Sequence, residues 1–168
     1  SGGNENPPVP SPGTGMALVT YDDVAHTLVV HASFSDLLGT TTVAHIHCCA
    51  DSPSNVGVAT YPGTFPGFIV GVTSGTYDSP SPIDLTSAAS YAASFLNNFG
   101  GGTAAGAEAA LIQGLFDGRA YFNIHTSLYP GGEIRGHLSE VPEPGTLTLA
   151  GLALLAVAAG SRRRSRAA

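Results

Sequence analysis

Six histidines fall in a chain of 168 residues that has no lysine, and three of them have the type and spacing of a metal site. His45-Ile46-His47 lies in a β-rich run, Thr41–Cys48. Residues two apart in a strand share a face, so both imidazoles stand about 7 Å apart along the backbone and can converge on one ion. A later run, Asn123-Ile124-His125-Thr126, puts His125 on the face opposite Phe122 and Ile124. Three neutral imidazoles suit zinc or copper and leave a fourth position to water or another donor. The alternative is structural: rings that hydrogen-bond loops at one end of the fold.

Cys48 and Cys49 follow the pair directly. An intramolecular bridge between them could only be vicinal. If the strand continues, Cys49 shares the face of His45 and His47 and offers a soft fourth ligand. An intermolecular disulfide or two inert thiols are the alternatives. His31 is a weaker candidate ligand, because it faces away from Phe34; His26 reads as exposed at a strand edge, and His137 as a surface residue. Glu133 and Arg135 lie on one strand face opposite Ile134 and Leu138. Glu133 would then orient a ligand histidine, or the two would form an ion pair holding strands together, the simpler reading. Asn123 would support a ligand or satisfy backbone groups of a nearby loop.

These side chains need strands to hold them. Residues 1–14 are rich in Pro and Gly, with almost nothing to bury, and read as a linker. Met16–Tyr21 and His26–Phe34 form a hairpin about Asp22-Asp23, with Leu28, Val30, Ala32 and Phe34 on one face. Thr41–Cys48 is the third strand and Phe68–Val72 the fourth, with a loop at Asp78–Pro82. A helical insertion spans about 87–116. Tyr91, Phe95 and Phe99 recur every four residues in its first helix, and Thr103 caps a second with Ala107, Ala110, Leu111, Gly114 and Leu115 on one stripe. Arg119–Thr126 and Glu133–Leu138 close the domain, joined by a turn at Tyr129-Pro130-Gly131-Gly132. The fold expected over 15–140 is mainly β, a single antiparallel β-sandwich or Greek-key barrel.

Charge narrows the partners. Charged residues make up 11% of the chain, and residues 1–140 carry two arginines against eleven acids, a net of −9. Such a domain does not bind nucleic acid or an anionic bilayer by electrostatics. Residues 141–168 differ: Pro142-Glu143-Pro144, an apolar run from Leu147 to Ala159, then Arg162, Arg163, Arg164 and Arg166. As a helix, 13 to 15 residues span only ~20–23 Å, short of the ~30 Å hydrocarbon core. Snorkelling arginines let such a helix cross marginally, with the arginines on the cytoplasmic side.

This three-part end resembles the PEP-CTERM sorting signal. The resemblance implies export from a Gram-negative bacterium that makes exopolysaccharide, and transient tethering in the inner membrane through residues 147–160. It further implies cleavage near Pro142-Glu143-Pro144 by an exosortase, so the mature protein should lack everything after about Pro144. VAHIHCCA and YFNIHTSLYPGGEIRGHL are similar to the two hallmark blocks of the CHRD domain, as are FSDLLGTTT, GVAT, FPGFIVGVTSGTYD and AEAALIQGL between them. His45, His47 and His125 match the family's recurrent histidines, and Gly132, Glu133, Arg135 and Gly136 its GEIRG block. The adjacent cysteines depart from the small or polar residues usual there. The resemblance implies no enzymatic activity.

Three functions follow from these readings. The first is a non-catalytic surface or matrix module holding one copper or zinc ion among exopolysaccharide. The second is a copper redox enzyme resembling superoxide dismutases, for which a second metal's ligand set is not found. The third is a surface metal scavenger. No GxSxG or HExxH motif points to a hydrolase.

Overall fold

A computed structural model describes residues 1–141. The sorting motif at Pro142–Pro144, the apolar run and the arginine cluster lie outside the described residues. The hairpin forms from β1 (Thr14–Asp22) and β2 (Thr27–Ser35), paired antiparallel along all nine residues. Asp22 shapes its turn: one carboxylate oxygen accepts from the amides of Val24 and Ala25 at 3.0 and 2.8 Å. β3 (Thr41–Cys48), β4 (Gly75–Asp78) and β5 (Ile83–Asp84) follow, then helices α1 (Ala93–Asn98) and α2 (Ala104–Phe116), then β6 (Ala120–Thr126) and β7 (Ile134–His137). One sheet has the order β1-β2-β4, with β5 also on β2; the other is β3-β6-β7. Every pairing is antiparallel. The two sheets form a sandwich-like fold and do not close into a barrel.

Alternation builds the core. Leu28, Val30, Ala32 and Phe34 of β2 are buried, as the period of two predicts, and so are Ala44 and Ile46 of β3 and Phe122 and Ile124 of β6. Phe65, from the long loop after β3, fills the centre and stacks on Phe122 with 5.9 Å between ring centroids. The helical insertion closes one end. Tyr91, Phe95 and Phe99 stack in succession, and the Thr103 side chain caps α2 by accepting from the Gly106 amide at 3.1 Å. Glu108 on α2, one of the more buried polar residues, accepts from Tyr21 Oη at 2.7 Å and bonds His26 Nδ1 at 2.8 Å. His26 is exposed, as expected, and also helps pin α2 to the hairpin.

Two expectations fail locally. Phe68–Val72 is not a strand: Gly67 and Gly71 take positive φ, and the chain turns at Phe68 through a bond to Phe65 O. The strand falls later, at Gly75–Asp78, so Asp78 ends an element instead of opening a loop. The opening segment is no free linker. Gly2, Glu5 and Gly13 are buried, and a 3-10 turn at Gly2–Asn4 lies on β7, where Asn4 Nδ2 donates to Arg135 O at 3.0 Å. Polar groups hold it there, and hydrophobic patterning does not register them.

Cys48 and Cys49 form the vicinal disulfide, which rests on α2. A β-carbon at Gly114 would run into Cys48 Sγ and lie 2.6 Å from Cys49 Sγ. In an ordinary helix interior Gly→Ala stabilises by ~1 kcal/mol. Here Gly114→Ala is expected to destabilise by about 1–3 kcal/mol through overpacking, seen as a lower urea midpoint. A raised midpoint would show that the helix does not pack on the sulfurs.

Candidate metal centre

Strand pairing brings the three histidines together. In the β3–β6 register His45 faces Asn123, His47 faces Tyr121 and Val43 faces His125. With side chains alternating, His45, His47, Tyr121, Asn123 and His125 share the outer face of the second sheet. That face is covered. Loop residues after β3 and the opening segment lie over it, and His45, His47 and His125 are 5%, 8% and 8% exposed.

Two of the rings, His47 and His125, each use one nitrogen to hold themselves in place. His47 Nδ1 donates to Val56 O at 2.8 Å and His125 Nδ1 to Pro130 O at 2.8 Å. Each bond fixes a tautomer and leaves the other nitrogen as a lone pair. Those nitrogens, His47 Nε2 and His125 Nε2, are buried with no hydrogen-bond partner, as is His45 Nδ1. One ring nitrogen from each of the three histidines lies within 4.8 Å of the others. An ion bound at ~2.0–2.1 Å needs its ligands about 3.4 Å apart, so movements on the order of 0.8 Å or less complete the site. Orphaned buried acceptors are costly unless something occupies them, and a divalent cation meets all three at once.

The rings are poised as neutral ligands. Burial pushes His45 down to about 4 from its ordinary 6.5, helped by the neighbouring His125 and His47 and opposed by the backbone of Gly63. Burial likewise brings His47 to about 4 against its bond to Val56, with His125 and Arg135 adding to the fall. His125 is lowered by burial, against its bond to Pro130. The unfolded chain therefore binds protons that the metal-free folded chain refuses. Stability is full above about pH 6.5, falls with pH and levels off below about 4. A drop of about 2 kcal/mol from each of His45 and His47, with a further fall from His125, is expected between about pH 7.5 and about pH 5, read from urea midpoints of metal-free protein. Equal midpoints at the two pH values would mean that the rings are not desolvated.

Around the ligands lies a stack. Tyr121 lies flat on His47 with centroids 4.8 Å apart, and the Arg135 guanidinium sits 4.6 Å from the centroid of the Tyr121 ring. Tyr121 Oη also donates to Val56 O at 3.2 Å, the carbonyl that holds His47. Arg135 is buried; it donates to Asn4 O, to Asn55 Oδ1 at 2.7 Å and to Pro53 O at 2.8 Å, and pairs with Glu5 at 3.8 Å. It thereby ties the loop that carries Val56 to the opening segment. Tyr121 was passed over in the sequence, though it sits two and four residues before Asn123 and His125, the period that marks a shared strand face.

Other expectations need correcting. Cys49 is no fourth ligand, since its sulfur is in the disulfide and faces Ala110 O on α2. His31 is on the other sheet, paired with Asp78. Glu133 and Arg135 do not pair with each other, because Arg135 takes Glu5. Glu133 orients no histidine either; it accepts from Ser11 Oγ, the amides of Leu38 and Gly39, and Thr126 Oγ1. Asn123 donates to Glu5 Oε1 at 2.7 Å and Ile134 O at 3.0 Å, holding the opening segment. His137 is half-buried, its Nδ1 3.3 Å from Gly118 O.

No helix among the described residues is long and apolar enough to cross a membrane. No curated protein and no solved structure matches the chain. Residues 140–164 match the PEP-CTERM protein-sorting motif, the signal that exosortase recognises. Residues 1–138 match the CHRD domain, the opening segment included, and the chain belongs to that family.

Proposed function

We propose that this is an exported surface protein whose CHRD domain binds one copper or zinc ion through His45, His47 and His125 and uses it without catalysis. The convergence of three buried, unpartnered imidazole nitrogens carries this reading. The ion would satisfy all three and cross-link β3 to β6, a stabilisation suited to a domain outside the cell. The tail supplies the address: tethering in the inner membrane through 147–160, cleavage by exosortase near Pro142–Pro144, and release to a surface or matrix rich in exopolysaccharide. Elemental mass spectrometry on the full chain purified from periplasm tests the site. Near-stoichiometric copper or zinc supports it; no metal bound, and none taken up from added salts, leaves the histidines structural.

One observation favours a second reading, a copper redox enzyme. Among the described residues no carboxylate or thiolate joins the three histidines, so a bound ion keeps an open position for a small substrate. Superoxide turnover by the copper-loaded chain above that of free copper would support it, and its absence would leave the non-catalytic module or a surface metal scavenger.

A further inference from the structure

Along one side the two sheets meet for only part of their length. β1 runs for nine residues, whereas β7, on the facing edge, has four. Ala17, Val19 and Tyr21 on the inward face of β1 therefore stay only half-buried. The gap is a cleft of about 630 Å3 between β1, the end of α2 and residues 137–141. Leu18, Ile112, Leu115, Phe116, Leu138 and Val141 line it, and Glu140 supplies its one carboxylate. Its rim projects into solvent: Leu18 is 52%, Phe116 58% and Val141 72% exposed. Exposed apolar side chains gathered at one cleft, here interspersed with Thr20, His137 and Ser139, mark a surface that something covers.

The course of the chain says what. Val141 lines the cleft, and only Pro142–Thr146 separate it from the apolar run that begins at Leu147. Five residues at full extension reach at most about 17 Å. With the run in a bilayer, the cleft rim is held within that distance of the hydrocarbon, comparable to the headgroup layer and its margin. We infer that this face docks on the membrane surface while the tail is inserted, with Leu18, Phe116 and Val141 in the interfacial layer. The inference rests on the reading of the tail as a membrane-inserted signal. The domain, at a net −9, is repelled by anionic lipid, so the contact is apolar and strengthens as salt screens that repulsion. Docking would hold Pro142–Pro144 at a constant height and angle for cleavage.

The chain has no tryptophan, so single probes report cleanly. Leu18→Trp and Phe116→Trp, in the full chain, sit on the rim. Leu128→Trp is the control: Leu128 is 56% exposed and lies beyond the end of β6 opposite Ala120, to which Leu138 bonds. Each variant is reconstituted into phosphatidylcholine–phosphatidylglycerol vesicles with brominated acyl chains, and flotation reports insertion. The inference expects blue-shifted emission and about twofold quenching at 18 and 116, with neither at 128. Flotation without quenching at the rim overturns docking and leaves the tail reading intact. Failure to float overturns both. Emission already blue-shifted without lipid also overturns docking: concentration dependence would assign the cleft to a second copy, and independence to the tail folding back.

Discussion

Replacing His45 and His47 together by alanine is expected to abolish stabilisation of the domain by zinc or copper. A ligand that binds only the folded state stabilises by RT ln(1 + [L]/Kd), about 2.7 kcal/mol at a hundredfold excess over Kd. One imidazole cannot hold a divalent ion against water at such concentrations, so the variant should show the same urea midpoint with and without metal. The wild type should move, and the shift should vanish with a chelator. The metal-free variant should also lose much of the pH dependence between about 6.5 and about 4, because two depressed histidines are gone. The same set of unfolding curves checks both statements. A metal-dependent shift surviving in the variant would place the ion elsewhere.

Glu133→Ala is expected to destabilise the domain more than loss of any metal ligand, by about 3–5 kcal/mol. Glu133 is wholly buried, and its two oxygens accept four hydrogen bonds. Ser11 Oγ and the Leu38 amide reach one oxygen, each at 2.6 Å; the Gly39 amide and Thr126 Oγ1 reach the other at 3.0 and 2.7 Å. Burial by itself would raise this carboxyl, but those four donors outweigh it and hold it below its ordinary value. Its contribution is therefore present above about pH 4.5 and lost as pH falls through the lower folded value. Alanine leaves two backbone amides with no acceptor in a site without room for ordinary solvation. Glu133→Gln keeps the shape but turns an N–H toward donors, and should lose about 2–3 kcal/mol. Urea denaturation checks both; a change within about 0.5 kcal/mol for either would show that the β2–β3 loop does not depend on this carboxylate.

Both variants bear on how far the chain could be read before it was folded. The period of two in Thr41–Cys48 and Arg119–Thr126 put His45, His47 and His125 on polar faces, and the likeness of their motifs to the CHRD blocks made them a candidate site. Thr103 as a cap located the second helix, whereas the spacing of Tyr91, Phe95 and Phe99 overran the first: α1 is only Ala93–Asn98, with Tyr91 extended and bridged to Thr60. Local geometry decides such features, because strand alternation and helix turns depend on residues two to four apart. The three-part tail was legible for the same reason: its order of motif, apolar run and arginines is a linear signal.

Tertiary structure decided the rest. Alternation says that a face is polar and not whether it is covered; the loop after β3 and residues 1–13 lie over the histidine face without any hydrophobic pattern to announce it. The partners of Arg135 lie 80 or more residues away, at Asn4, Pro53 and Asn55. No local rule chooses Glu5 over the nearby Glu133. Cys49 shared the expected parity with His47, yet bonding to Cys48 against Gly114 took it out of the site. Periodicity sets which residues share a surface. Burial, and with it the lone pairs left facing one another, is set by segments that meet only once the chain has folded.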